Sequence, residues 1–83
     1  MDWKIENNKL IKNFELADFK SVINFTNLIA EAAEAENHHP DILIYDYKKI
    51  KVSLFTHDEE KITEKDYQLA EKIDKIFISL KNS

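Results

Sequence analysis

Three histidines, His38, His39 and His57, are the side chains of this 83-residue sequence best suited to chemistry. An imidazole titrates near neutrality, so a group of them can both donate and abstract protons at pH 7. Two of the three are adjacent and run directly into Pro40. Packing explains such a pair poorly, because neighbouring rings point into different surroundings. If residues 42–47 and 49–56 pair as a hairpin, the chain returns to the level of Pro40, and His57 arrives near His38 and His39. A proton-transfer site is one reading of that geometry. A zinc site built on the three rings with Glu34 or Asp66 is a second, although vicinal histidines are awkward ligands for one metal. A solvated helix end with no chemistry is the third, and the residues alone leave all three open.

The elements that position these rings follow from periodicity. Residues 3–6 and 9–16 read as two strands joined at Asn7-Asn8, with Leu10, Phe14 and Leu16 on one alternating face. Asp18 suits an N-cap, and a long helix follows to about Glu36. Its core stripe is expected at Phe19, Val22, Ile23, Ile29, Ala30 and Ala33. Phe25 and Leu28 widen that stripe into a second face open to an oligomer or partner contact. Pro40 disfavours helical geometry at His39 and ends the segment. Residues 42–47 form a strand, Asp46 to Lys48 a tight turn, and 49–56 a second strand in which Ile50, Val52 and Leu54 alternate with Lys49, Lys51 and Ser53. After a polar loop, Thr63 to Asp66 has the form of a capping box. A last helix then runs to about Leu80 on Leu69, Ile73, Ile76, Phe77 and Leu80. The order β-β-α-β-β-α, with short connections, predicts an α+β fold: a four-stranded antiparallel sheet with helices packed on one face.

Composition narrows the function classes. One domain spanning 1–83 is the most this length holds, and a chain so short buries only about 60–65% of its unfolded surface. Cysteine is absent, so neither disulfides nor thiolate metal sites can compensate, and a homo-oligomer becomes the expected source of added stability. The formal net charge of −4, with both signs interspersed, argues against direct nucleic-acid binding. Glycine is absent too, which removes the phosphate-cradling loops of nucleotide-binding folds. No apolar run is long enough to span a membrane and the N-terminus has no signal-peptide pattern, so a soluble, cytoplasmic protein is expected.

The polar residues fall on a recognisable spacing. Glu34, three residues, His38-His39-Pro40, then Tyr47, nine residues to His57 and eight more to Asp66 resembles the signature of the pterin-4a-carbinolamine dehydratases. Trp3-Lys4, Phe14, Asp18-Phe19, Thr56-His57, and Asp66 with Leu69 and Ala70 extend the likeness over nearly the whole chain. The resemblance implies a hydro-lyase of tetrahydrobiopterin recycling, which converts 4a-hydroxytetrahydropterin to quinonoid dihydropterin and water with no metal and no bound cofactor. It implies His38, His39 and His57 as catalytic residues, with His38 and His57 as the acid–base pair and His39 holding the ring. Glu34, Asp66 and Thr56 are expected to contact the substrate or support the histidines. Glu34, one helical turn before His38, is expected to orient that ring. Tyr47 is expected to pack at its strand end.

The expected partners are a small pterin substrate and further copies of the chain, as a homodimer or homotetramer. The resemblance also implies an alternative, a binding or regulatory module of the same fold that acts on a protein partner. Two departures bear on substrate choice and assembly. Ile42 stands where the family commonly has an aromatic residue, and the two residues before Trp3 leave no room for the family's usual N-terminal helix.

Overall fold

A computed structural model describes residues 2–82, and every expected element is present. Strand β1 (Lys4–Glu6) turns at Asn7-Asn8 into β2 (Lys9–Glu15), and helix α1 (Phe19–Glu36) follows. Strands β3 (Asp41–Tyr45) and β4 (Lys49–Leu54) form a hairpin, a single 3-10 turn spans His57–Glu59, and α2 (Glu64–Lys81) closes the fold. The sheet order is β1-β2-β4-β3, antiparallel throughout. No helix among the described residues is long and apolar enough to cross a membrane.

The turns are made without glycine. Asn7 and Asn8 take φ of 51° and 64°, and Asp46 and Tyr47 take 50° and 48°, the left-handed geometry that matches a hairpin turn to strand twist. Asn and Asp tolerate this region better than other residues with a Cβ. Tyr47 is therefore a turn residue, not a strand end, and β3 stops at Tyr45. Its exposed ring lies under the Lys48 ammonium, 5.8 Å from the centroid.

Asp18 caps α1 by accepting a 2.8 Å hydrogen bond from the Ser21 backbone N–H, and hydrogen bonding to Ser21 holds its carboxyl below the ordinary carboxylate range. Asn37, at φ 50°, ends the same helix in a left-handed conformation.

Both helices cover one face of the sheet. Leu10, Phe14, Ile50, Val52 and Leu54 meet Val22, Phe25, Ile29 and Ala33 of α1 and Leu69, Ala70 and Ile73 of α2 in a single core. Phe14 lies edge-on to Phe25 at 5.1 Å between centroids and tilted against Phe77 at 4.9 Å. The α1 stripe is rotated from the expected one. Phe25 is fully buried rather than part of a second face, while Phe19 is 53% exposed and Ile23 and Ala30 lie outside the core. Val22, Phe25, Ile29 and Ala33 are spaced three or four apart, so they line up on one side, and Phe19, the first residue of the helix, is left half exposed.

One charged side chain shares the core-facing side of the sheet. Lys12 lies opposite Val52 in the ladder, and its ammonium bonds the Asp74 carboxylate at 2.8 Å, with the Phe14 ring 5.0 Å away. The other oxygen of Asp74 accepts the Trp3 indole N–H at 3.0 Å. Asp74 thus ties β2 and the residue before β1 to α2.

Candidate functional site

The three histidines leave the same end of the sheet. His38 and His39 precede β3, His57 follows β4, and the two strands are antiparallel with Asp41 opposite Ser53. Continued beyond that pair, the register sets His38 opposite Thr56. α1 ends here as well, and α2 begins here.

Asp66 organises the inner part of the site. It is the third residue of α2, its side chain has no solvent exposure, and three donors or potential donors converge on its carboxylate. Oδ1 lies 2.5 Å from His38 Nε2. Oδ2 accepts the Thr56 hydroxyl at 2.8 Å and the Thr63 backbone N–H at 2.9 Å. The last bond is one arm of the capping box expected from Thr63 and Asp66. Thr56 and Thr63 hydroxyl oxygens lie 2.6 Å apart. Thr56 spends its one hydroxyl hydrogen on Asp66, so Thr63 is the donor between them. Burial of this group is tolerated because no buried polar side-chain atom among the described residues lacks a partner.

His39 and Glu34 form a separate pair at the surface, with Nε2 and Oε2 2.5 Å apart and side-chain exposures of 59% and 75%. Glu34 therefore meets His39, not His38 as helical spacing suggested. The i, i+4 relation holds only while the helix continues. The left-handed Asn37 breaks it and turns His38 inward, its side chain 11% exposed, leaving His39 outside. His57 opens the 3-10 turn with its ring exposed and edge-on to Phe55, 5.2 Å between centroids. A Thr56–Lys61 bridge closes the loop beneath it. Among the described residues no hydrogen bond joins one histidine to another, and no group of three or more His, Asp or Glu side chains is arranged to hold a metal ion.

Sequence reasoning placed Thr56 and Asp66 at the site, and the structure brings both to His38, but as buried groups whose hydrogen bonds are made within the protein. The sequence marks Thr63 as a cap alone. Its hydroxyl bond to Thr56 carries no sequence signal, because it depends on the Thr56–Lys61 bridge folding the loop back. A surface cleft lies at the opposite end of the helices, beside Glu15, Ser21, Asn24 and Lys81, away from all three histidines.

Known proteins resemble this chain in sequence and in fold. The family model described as pterin 4 alpha carbinolamine dehydratase matches residues 1–76. A protein of Herpetosiphon aurantiacus is 49% identical over 75 residues, covering 90% of this chain and 77% of its own. One of Metallosphaera sedula is 43% identical over 75 residues, with the same two coverages. The names of both assign them provisionally to pterin-4-alpha-carbinolamine dehydratase. Among solved structures, a Brucella melitensis protein described as a transcriptional coactivator/pterin dehydratase superposes with a TM-score of 0.84 at 30% identity, covering 89% of this chain and 80% of its own. A pterin dehydratase-like RuBisCO assembly factor of the alpha-carboxysome shares the fold at a TM-score of 0.77 and 18% identity, covering 92% and 89%.

Proposed function

The chain belongs to the pterin 4 alpha carbinolamine dehydratase family, and from that membership we propose that it dehydrates a 4a-hydroxytetrahydropterin to the quinonoid dihydropterin by histidine acid–base catalysis. The observation that carries this reading is the convergence of His38, His39 and His57 on one end of the sheet, with His38 held against a buried carboxylate.

The chemistry needs two proton transfers. Hydroxide is a poor leaving group, so an acid protonates the C4a hydroxyl. The C4a–O bond then breaks as the N5 lone pair forms the C4a=N5 bond, and water departs. A base takes the proton left on N5, and the net change is the loss of one water. Imidazole serves both steps near neutral pH. His38 and His57 are the proposed proton carriers. His39, fixed by Glu34 at the surface, is proposed to hold the pterin ring by hydrogen bonding. Thr56 and Asp66 contribute from behind His38, since their own polar atoms are turned inward.

An absorbance assay of 4a-carbinolamine dehydration tests the proposal. His38→Ala and His57→Ala are each expected to lose roughly 10²–10⁴-fold in rate, the usual worth of a general acid or base. Wild-type turnover in both variants would overturn it.

A further inference from the structure

Asp66 is the one fully buried carboxylate of the described core, and it sits one bond behind a proposed proton carrier. We propose that Asp66 is a positioning residue that fixes His38 as the Nε2–H tautomer, so that Nδ1 is the atom through which His38 exchanges protons with substrate. The second half of this statement rests on the acid–base role proposed above, and the first does not.

The donors around Asp66 fix the tautomer. The Thr63 backbone N–H can only donate, and its acceptor is Oδ2. Thr56 directs its hydroxyl hydrogen to the same oxygen. The carboxylate is thus an acceptor on Oδ2, and an ionised carboxylate has no hydrogen of its own to offer from Oδ1. The hydrogen between Oδ1 and His38 therefore comes from Nε2. A neutral imidazole carries one N–H, so Nδ1 is left with its lone pair. That lone pair takes the proton of N5, or, once protonated, Nδ1–H delivers a proton to the C4a hydroxyl.

Three elements hold the arrangement rigid. His38 is fixed by the helix-ending turn at Asn37, Thr56 by the end of β4, and Asp66 by the cap of α2. Glu34, the nearer carboxylate in sequence, is not available to His38, because it is engaged by His39.

Nitrogen-15 NMR of the imidazoles, on the whole labelled chain at a pH where the rings are neutral, reads the tautomer directly. The wild type is expected to show His38 as Nε2–H. In Asp66→Asn the side-chain oxygen meets the Thr56 and Thr63 donors, so the amide N–H₂ faces His38 and drives the ring proton to Nδ1. The expected result is a swapped tautomer, with kcat reduced about 10²–10⁴-fold and KM changed only a few-fold. An Nδ1–H tautomer in the wild type, or an unchanged Nε2–H tautomer in Asp66→Asn, would overturn the positioning role. A swapped tautomer with full kcat would overturn Nδ1 as the proton carrier. If Asp66→Asn does not fold, the wild-type spectrum decides the tautomer on its own. If the tautomers behave as expected while wild-type protein leaves the pterin carbinolamine untouched, the positioning stands and the proposed function falls.

Discussion

Replacing Thr56 by valine keeps the shape of a buried side chain while removing one hydroxyl from the chain Thr63–Thr56–Asp66. The hydroxyl donates to a buried carboxylate at 2.8 Å, and a hydrogen bond to a charged group is worth about 1.5–3 kcal/mol. Valine returns part of that by burying an extra methyl, roughly 0.8 kcal/mol. Thr63 is only half-buried, so water can take up its hydroxyl at little cost. The net expectation is a loss of about 1–2 kcal/mol. In a chain of this size each kcal/mol lowers Tm by about 4–8 °C, so the variant should melt about 4–16 °C below wild type. Urea unfolding checks it with a lowered midpoint at unchanged slope. Combined with Asp66→Asn, which keeps an acceptor oxygen but removes the charge, the two losses should fall short of additive by about 1 kcal/mol. A melting point within 1–2 °C of wild type, or strict additivity in the double variant, would refute the hydroxyl-to-carboxylate accounting (limits set by the ~4 °C expected per kcal/mol).

Two further outcomes probe the frame around the site. Phe25→Ala should cost about 3–5 kcal/mol, because the ring is fully buried against Phe14 and Phe77, whereas Phe19→Ser should stay within about 0.5 kcal/mol; parallel thermal melts compare them. Asp18 carries its carboxyl below the ordinary value, so its capping contribution is complete above about pH 3.9 and fades as pH falls through its lower folded value. The melting-point difference between wild type and Asp18→Asn, measured from pH 6 downward, should therefore be constant to about pH 4 and change only below it.

Local rules made most of the frame legible. Capping by Asp18 and by the Thr63–Asp66 box, the Asn7-Asn8 hairpin, and the alternation of Ile50, Val52 and Leu54 are each short-range and unambiguous. What periodicity could not settle was which side of α1 faces the sheet. Apolar residues on the helix extend well beyond one stripe, and the choice between Phe19 and Phe25 depends on how the helix is rotated against the strands. Lys12 sits on the core-facing side because a partner 62 residues away receives its charge, a relation no window along the chain can contain. At the site, identities were readable and pairings were not. Glu34, His38, His39 and Asp66 stood out by type and spacing. Which carboxylate serves which ring is decided by the left-handed turn at Asn37 and by the approach of α2, both tertiary outcomes.

The carboxylate that faces His38 also closes the first turn of α2. Helix ends are where native proteins open most readily, often at a fraction of the global unfolding free energy. Each opening of that turn would withdraw Asp66 and release His38 to rotate. The fraction of molecules with an ordered site is then set by the local opening equilibrium of one helical turn. Amide exchange at Thr63 becomes a gauge of readiness for catalysis, and activity should decline on warming before the sheet gives way.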